Sequence, residues 1–263
     1  MPAKPKLGKN FLNDPQAVQR IVSALGDCSH ETVVEIGPGQ GVLTHALAPR
    51  VGNLIAIELD QHLASQLRTE FSSESLTVVN QDVLDFDFSS ISVEQGKRLA
   101  VVGNLPYYIT SPILLKLAAS HAALDCAVLM MQREVADRVA AGPGSRDYGL
   151  LSVTVQMYGP VEKLFTLPPG AFSPPPEVHS TVVRWCFAPR FTSLGVDETG
   201  FLPFVRQAFA QKRKTLANNL RAAGIAPEIV VQAMTSAGIK PQSRAEALPI
   251  ETLAELWKKL QVR

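Results

Sequence analysis

Four apolar runs stop on residues that carry polar chemistry or leave room for it. TVVEI runs into Gly37, NLIAIELD passes through Glu58, LTVVNQD ends at Asp82, and RLAVVGN ends at Asn104. Helical patterns separate the runs: Val42 to Pro49, then QHLASQLRTEF, and after Asn104 SPILLKLAAS with Pro112 near its start. A fifth run, CAVLMMQ (126–132), is followed by REVADRVAA. Strands that are nearly continuous in apolar residues, alternating with helices, predict an α/β fold: a mostly parallel sheet covered on both faces. LSVTVQMY (151–158) and STVVRWCFA (180–188) read as the closing strands. No long helix separates them, so one strand is expected to run antiparallel.

After Pro189 the pattern changes. FLPFVRQAFAQKRKTLANNLRAA, PEIVVQAMTSAG and IETLAELWKKLQ read as amphipathic helices. The expected domains are 1–189 and a small helical domain, 190–263. Charge divides in the same place. Residues 1–189 hold 14 Lys+Arg against 18 Asp+Glu, and residues 190–263 hold 11 against 6. Lys4, Lys6 and Lys9 add a basic N-terminal tip. Local basic surface suits a phosphate-rich partner, although a charge cluster is usually only a solvated face. Cys28, Cys126 and Cys186 form no C-x-x-C pair and the five histidines no metal spacing, so neither a disulfide framework nor a metal site is expected. The cysteines read as small core hydrophobes. No run is long enough to span a membrane, and the N-terminus has no secretory h-region, so the expected location is cytoplasmic.

In open parallel sheets, ligands bind beyond the carboxyl ends of the strands. GPGQG provides a tight turn there, with Gly37, Gly39 and Gly41 allowing close backbone approach. Glu58 is placed to accept from both hydroxyls of a ribose, and Asp82 from an adenine amine. Two cofactor classes share this arrangement. Nicotinamide dinucleotides favour G-x-G-x-x-G, whereas the spacing here is G-x-G-x-G with Glu35 ahead of it. Asp60 and Asp85 read as a helix N-cap and a loop acid.

The fourth strand should then end beside the cofactor. An adenine N6 amine is a weak nucleophile because its lone pair is delocalised into the ring. Acceptors that hold its N–H groups can aim the nitrogen at an electrophile. The Asn104 side-chain oxygen is one acceptor, and the Leu105 carbonyl, directed by Pro106, is a second. Tyr107 offers a face for stacking. These are orientation and electrostatic effects and need no strong base. Tyr108 is expected to pack behind the loop.

The pattern E-x-G-x-G-x-G resembles motif I of the S-adenosylmethionine-dependent methyltransferases, and Asn104-Leu105-Pro106-Tyr107 resembles the N/D-P-P-Y/F/W motif of amino-methyltransferases. LGKNFL (7–12), FSPPPEVHSTVVR (172–184) and QKRKTLANNL (211–220) are similar to segments of the ribosomal RNA adenine dimethyltransferases, especially the bacterial KsgA type. The resemblance implies a Rossmann-like class I methyltransferase sheet and S-adenosylmethionine as cofactor. It implies that Asn10, Leu12, Gly37, Gly39, Gly41, Glu58, Asp82 and Asn104 serve the cofactor. It further implies that Asn104, Leu105, Pro106 and Tyr107 hold the target base, with Phe172 stacking from the other side. Lys9 stands where the family usually has Gln.

The implied activity is N6,N6-dimethylation of two adjacent adenosines in the 3′-terminal hairpin of 16S rRNA, in the immature 30S subunit; no DNA partner is expected, and a monomer is the default because the sequence carries no signal of oligomeric state. A base so held must leave its stack or already lie in a loop. Lys4, Lys6, Lys9, Arg206, Lys212, Arg213, Lys214 and Arg221 would track the RNA backbone. The alternatives are a 23S rRNA methyltransferase of the Erm type, a ribosome-assembly binding factor and a nicotinamide oxidoreductase.

Overall fold

The computed structural model of the chain describes residues 10–71 and 76–261, so Lys4, Lys6 and Lys9 lie outside the described residues. A two-residue strand, β1 (Phe11–Leu12), precedes α1 (Pro15–Ser23), whose first N–H groups are capped by the Asp14 carboxylate. Then follow β2 (Thr32–Ile36), α2 (Val42–Leu47), β3 (Asn53–Glu58), α3 (Gln61–Glu70), β4 (Leu76–Asn80) and α4 (Phe88–Gln95). After these come β5 (Leu99–Asn104), α5 (Thr110–Ala119), β6 (Leu124–Gln132) and α6 (Arg133–Val139). β7 (Val161–Leu167), β8 (Phe172–Ser173) and β9 (Ser180–Cys186) complete the strands.

Seven strands make one sheet in the order β4-β3-β2-β5-β6-β9-β7. Pairing is parallel from β4 through β6, and β9 alone runs against the rest. The expected mostly parallel sheet with one antiparallel strand is therefore present. Burial explains the apolar runs. Val33, Val34, Leu54, Ala56, Val101 and Val102 are excluded from solvent, and burying a side chain of Val or Leu size contributes about 1.5–3 kcal/mol. From β2 the chain moves outward through β3 and β4, then returns to place β5 on the other flank of β2. That reversal opens a crevice beyond the carboxyl ends of β2 and β5, where Gly37 and Asn104 stand. Gly103 permits the approach of the two strands: a Cβ there would lie 2.7 Å from the Ile36 carbonyl oxygen.

The chain divides into two compact units. The first runs to Ala136 and resumes at Val161–Phe187; the second takes Asp137–Pro160 and the residues from Ala188 onward. The second unit holds α7 (Leu150–Met157), α8 (Phe191–Leu194), α9 (Glu198–Ala208), α10 (Leu216–Ala222), α11 (Pro227–Ser236) and α12 (Ile250–Gln261). Phe201, Leu220, Val230, Leu253 and Leu256 form its interior, and the Tyr158 hydroxyl donates to Glu198 at 2.6 Å.

Three expectations are corrected. The expected strand at 151–158 is instead helical through Met157, and the strand in that part of the chain is β7. Residues 201–223 are not one helix, because α9 ends at Ala208 and α10 starts at Leu216. Lys212, Arg213 and Lys214 thus lie on the connection between helices, while Arg206 and Arg221 are helical. Finally, the cysteines are not all core residues: Cys28 is buried, Cys126 half-buried and Cys186 exposed. No helix among the described residues is long and apolar enough to cross a membrane.

Candidate active site

The crevice beyond β2 and β5 is walled by four chain segments, each brought there by the end of a strand. The glycine turn contributes Gly37, Pro38 and Gly39; the end of β3 and the residue after it contribute Glu58 and Leu59; the turn after β4 contributes Gln81, Asp82 and Val83; β5 and its loop contribute Asn104 to Ile109. Asn10, Phe11 and Leu12 close one side.

Gly37, Gly39 and Gly41 all have positive φ, at 64°, 60° and 80°. A Cβ on Gly39 would meet the Phe11 ring at 2.9 Å, so the turn needs glycine for space as well as conformation. Gly41 stands behind the wall, where it starts α2. The Glu58 carboxylate is buried. Its Oε2 accepts from Gly39 N–H at 3.1 Å and its Oε1 from Asp60 N–H at 2.8 Å. A carboxylate offers about four acceptor positions, so Glu58 can hold the loop and still accept from a ligand. Asp60 caps α3, as expected. Asp82 Oδ1 accepts from Leu84 N–H at 2.9 Å, which fixes the turn that presents it.

Glu35 also reaches the cavity wall although it is only 1 % exposed. Its Oε2 accepts from the Thr44 hydroxyl at 2.7 Å. Burial pushes its carboxyl up to about 7; the Thr44 hydrogen bond opposes this and the Glu58 charge adds to it.

On β5, Asn104 Nδ2 donates to the Asn10 carbonyl at 3.0 Å. A carbonyl can only accept, so this contact fixes the orientation of the amide. Asn104 Oδ1 is left buried, with no hydrogen-bond partner among the described residues. Leu105 N–H donates to Met130 O at 2.9 Å, and the Thr110 hydroxyl to Pro106 O at 3.1 Å, so the loop is held from both sides. The Tyr107 hydroxyl and Ser180 Oγ share a 2.6 Å hydrogen bond. Burial raises the Tyr107 phenol, and the Ser180 contact works against it.

Phe172 is placed differently from the other expected residues. It is 2 % exposed and sits in the core with Leu12, Leu167, Ala171 and Val182, off the cavity wall. It pairs with Leu12 in the β1–β8 ladder, which anchors the N-terminal segment over the glycine turn. Tyr108 does not pack behind the loop; it is 49 % exposed and lines the cavity.

Sequence reasoning missed Phe11, Gln81, Thr44 and Ser180. Phe11 and Ser180 lie within the quoted segments, and Gln81 adjoins Asp82. Thr44 carried no signal beyond its place on the helix that follows the turn.

The family model for ribosomal RNA adenine dimethylases matches residues 2–261. The chain belongs to that family. Among the relatives of this family member, the ribosomal RNA small subunit methyltransferase A of Acidobacterium capsulatum is 59% identical over 99% of this chain and 92% of its own length. The protein of the same name from Koribacter versatilis is 49% identical over 98% and 94%. The crystal structure of a dimethyladenosine transferase from Plasmodium falciparum superposes with a TM-score of 0.77 at 25% identity, covering 94% of this chain and 95% of that one. The 23S rRNA methyltransferase ErmE gives 0.73 at 25% identity, covering 95% and 99%. This family member is accordingly an rRNA methyltransferase.

Proposed function

We propose that the chain uses S-adenosylmethionine to dimethylate the N6 amines of two adjacent adenosines in the 3′-terminal hairpin of 16S rRNA, within the maturing 30S subunit. The observation that carries this reading is Asn104 Oδ1, a buried acceptor with no donor among the described residues, on the wall of a cavity otherwise suited to a nucleoside. Leaving such an atom unpaired costs about 1–3 kcal/mol, and an exocyclic amine would relieve that cost. The relatives named for the small subunit favour that substrate over the large subunit.

The residues present fit the cofactor. Gly37 and Gly39 allow close backbone approach, Glu58 retains acceptor capacity for ribose hydroxyls, and Asp82 faces the cavity for an adenine amine. Asn10 and Leu12 close the pocket, and Gly41 sets the start of α2. When bound, the cofactor supplies a methyl group on a sulfonium, the electrophile of the reaction.

The chain's own part is orientation. Asn104 Oδ1 and the Leu105 carbonyl accept from the target amine and point its nitrogen, Pro106 sets their direction, and Tyr107 supports the base. Phe172 enters this reading as the anchor of the N-terminal segment, since a stacking role would require its ring to leave the core. No general base is assigned, because the amine becomes acidic once methylated. Lys212, Arg213, Lys214, Arg206 and Arg221 supply positive charge for RNA phosphates. The working form is a monomer in the cytoplasm.

Methyl transfer from labelled S-adenosylmethionine to separated ribosomal subunits tests this reading. Label in the RNA of immature small subunits is expected. Label confined to large subunits would favour the Erm-type alternative, and binding without transfer would favour an assembly factor.

A further inference from the structure

The three cysteines, distant in sequence, converge at the end of the sheet away from the cavity. Cys126 lies near the start of β6 and is the register partner of Cys186 on the antiparallel β9. Phe187 N–H donates to the Asp125 carbonyl at 2.9 Å, which makes Asp125 and Phe187 a hydrogen-bonded pair. Such pairs alternate along an antiparallel ladder, so Cys126 and Cys186 form a non-hydrogen-bonded pair. Directly opposed residues of that kind have Cα atoms about 4.5 Å apart and side chains on the same face. A disulfide spans Cα separations of about 4.4–6.8 Å. The register therefore places the two cysteines at a backbone separation of the kind a disulfide spans.

Their surroundings differ. Cys186 is exposed and Cys126 half-buried. Burial pushes the Cys126 thiol up to about 12; Asp125 adds to the effect and Arg184 opposes it. Cys28 is buried and its thiol donates to the Leu25 carbonyl at 3.7 Å. Among the described residues no group of three or more His, Cys, Asp or Glu is arranged to hold a metal ion.

We propose that Cys126 and Cys186 form a reversible dithiol–disulfide couple that exchanges with small-molecule disulfides. The exposed Cys186 reacts first. Its thiolate attacks one sulfur of R–S–S–R, forming Cys186–S–S–R and releasing RS⁻, which takes up the proton the thiol gave to solvent. Cys126, deprotonated in turn, attacks Cys186 Sγ and expels the second RS⁻. In sum, two protein thiols lose two electrons and two protons, and R–S–S–R becomes two RSH. Cys126 offers little thiolate, but its fixed position beside Cys186 raises its effective concentration. The bridge is exposed at its Cys186 end, a property of labile rather than permanent disulfides.

The test equilibrates the full chain, under native conditions, with glutathione disulfide and glutathione at varied ratio. Acid quenching, alkylation of free thiols and peptide mapping by mass spectrometry then read the products. The expected result is a mass loss of about 2 Da on oxidation, a Cys126–Cys186 peptide, an alkylated Cys28, and full reversal by excess glutathione. Cys126→Ser should stop at a glutathione adduct on Cys186. Cys186→Ser should leave Cys126 unmodified over the same interval. The proposal is overturned if both thiols stay alkylatable in excess glutathione disulfide, or if the wild-type chain stops at the Cys186 adduct. It is equally overturned by a bridge that includes Cys28 or joins two copies, or by modification of Cys126 in Cys186→Ser.

Discussion

The Asn104 side chain gives its N–H to the Asn10 carbonyl at 3.0 Å, and that one contact leaves Oδ1 on the cavity wall as an acceptor with no partner among the described residues. Replacing Asn104 with Ala removes both functions. Loss of one preorganised polar group of this type typically costs about 10²–10³-fold in kcat, and a fall of that order is expected in single-turnover methyl transfer. Affinity for RNA should stay within about twofold, because the phosphate-tracking charges are elsewhere. Asn104→Asp should behave no better than Ala: a carboxylate cannot donate to the Asn10 carbonyl, and the two would repel. Undiminished transfer by either variant would remove Asn104 from the reaction.

Glu58 ties two backbone N–H groups to one carboxylate, one from the glycine turn and one from the start of α3. Hydrogen bonds to a charged group contribute about 1.5–3 kcal/mol each. Glu58→Ala should therefore weaken S-adenosylmethionine binding by about tenfold or more, read by calorimetry, with RNA affinity unchanged. Calorimetry with NAD on the wild-type chain should show no binding; heat from NAD would revive the oxidoreductase reading.

Glu35 makes stability depend on pH in an unusual direction. Its folded pKa, about 7, lies above the ordinary value of 4.5. Between these values the folded state holds the proton that the unfolded state has released. Its contribution is thus most favourable below pH 4.5 and is lost as pH rises through 7. The full difference is on the order of 3 kcal/mol. Glu35→Gln keeps an acceptor for Thr44 and cannot ionise. Urea melts should show wild type losing stability relative to Glu35→Gln between about pH 5 and pH 8. Parallel pH profiles for the two proteins would contradict the assignment.

Gly103 on β5 is the register partner of Ile36 on β2. Gly103→Ala would put a methyl 2.7 Å from the Ile36 carbonyl oxygen and 3.1 Å from the Ile36 Cβ, both anchored in the sheet. Strand separation should cost about 1–3 kcal/mol and displace Asn104 from the glycine turn. A lower thermal midpoint, together with reduced methyl transfer, is the expected pair of readouts.

The parallel half of the sheet was legible because β2, β3, β5 and most of β6 are buried on both faces, and because β4, although at the edge, is apolar over most of its length and ends on Asn80. The helix at Leu150–Met157 was not, because Ser, Thr and Gln alternate there with Val and mimic a strand. Tertiary contacts decide it instead. Ser152 Oγ accepts from Gly149 N–H and donates to the Arg138 carbonyl, while the Gln156 amide donates to the carbonyls of Val139 and Ala141. β7 was hidden by its place at the sheet edge, where Glu162 faces solvent and pairs with Arg184. The break before α10 carries no Gly or Pro. It is made by the Thr215 cap and by Asn219, whose amide donates to the Ala208 carbonyl. In the site, Gly37, Glu58, Asp82 and Asn104 could be placed from strand ends alone. The burial of Phe172 could not, because it depends on the two-residue pairing of β1 with β8.

Position-resolved mass mapping of the RNA after reaction with immature small subunits and S-adenosylmethionine is the most direct test. The account predicts two methyl groups on N6 of each of two neighbouring adenosines near the 3′ end of the small-subunit RNA. Methylation at another atom, at a single adenosine elsewhere, or only in large-subunit RNA would contradict it.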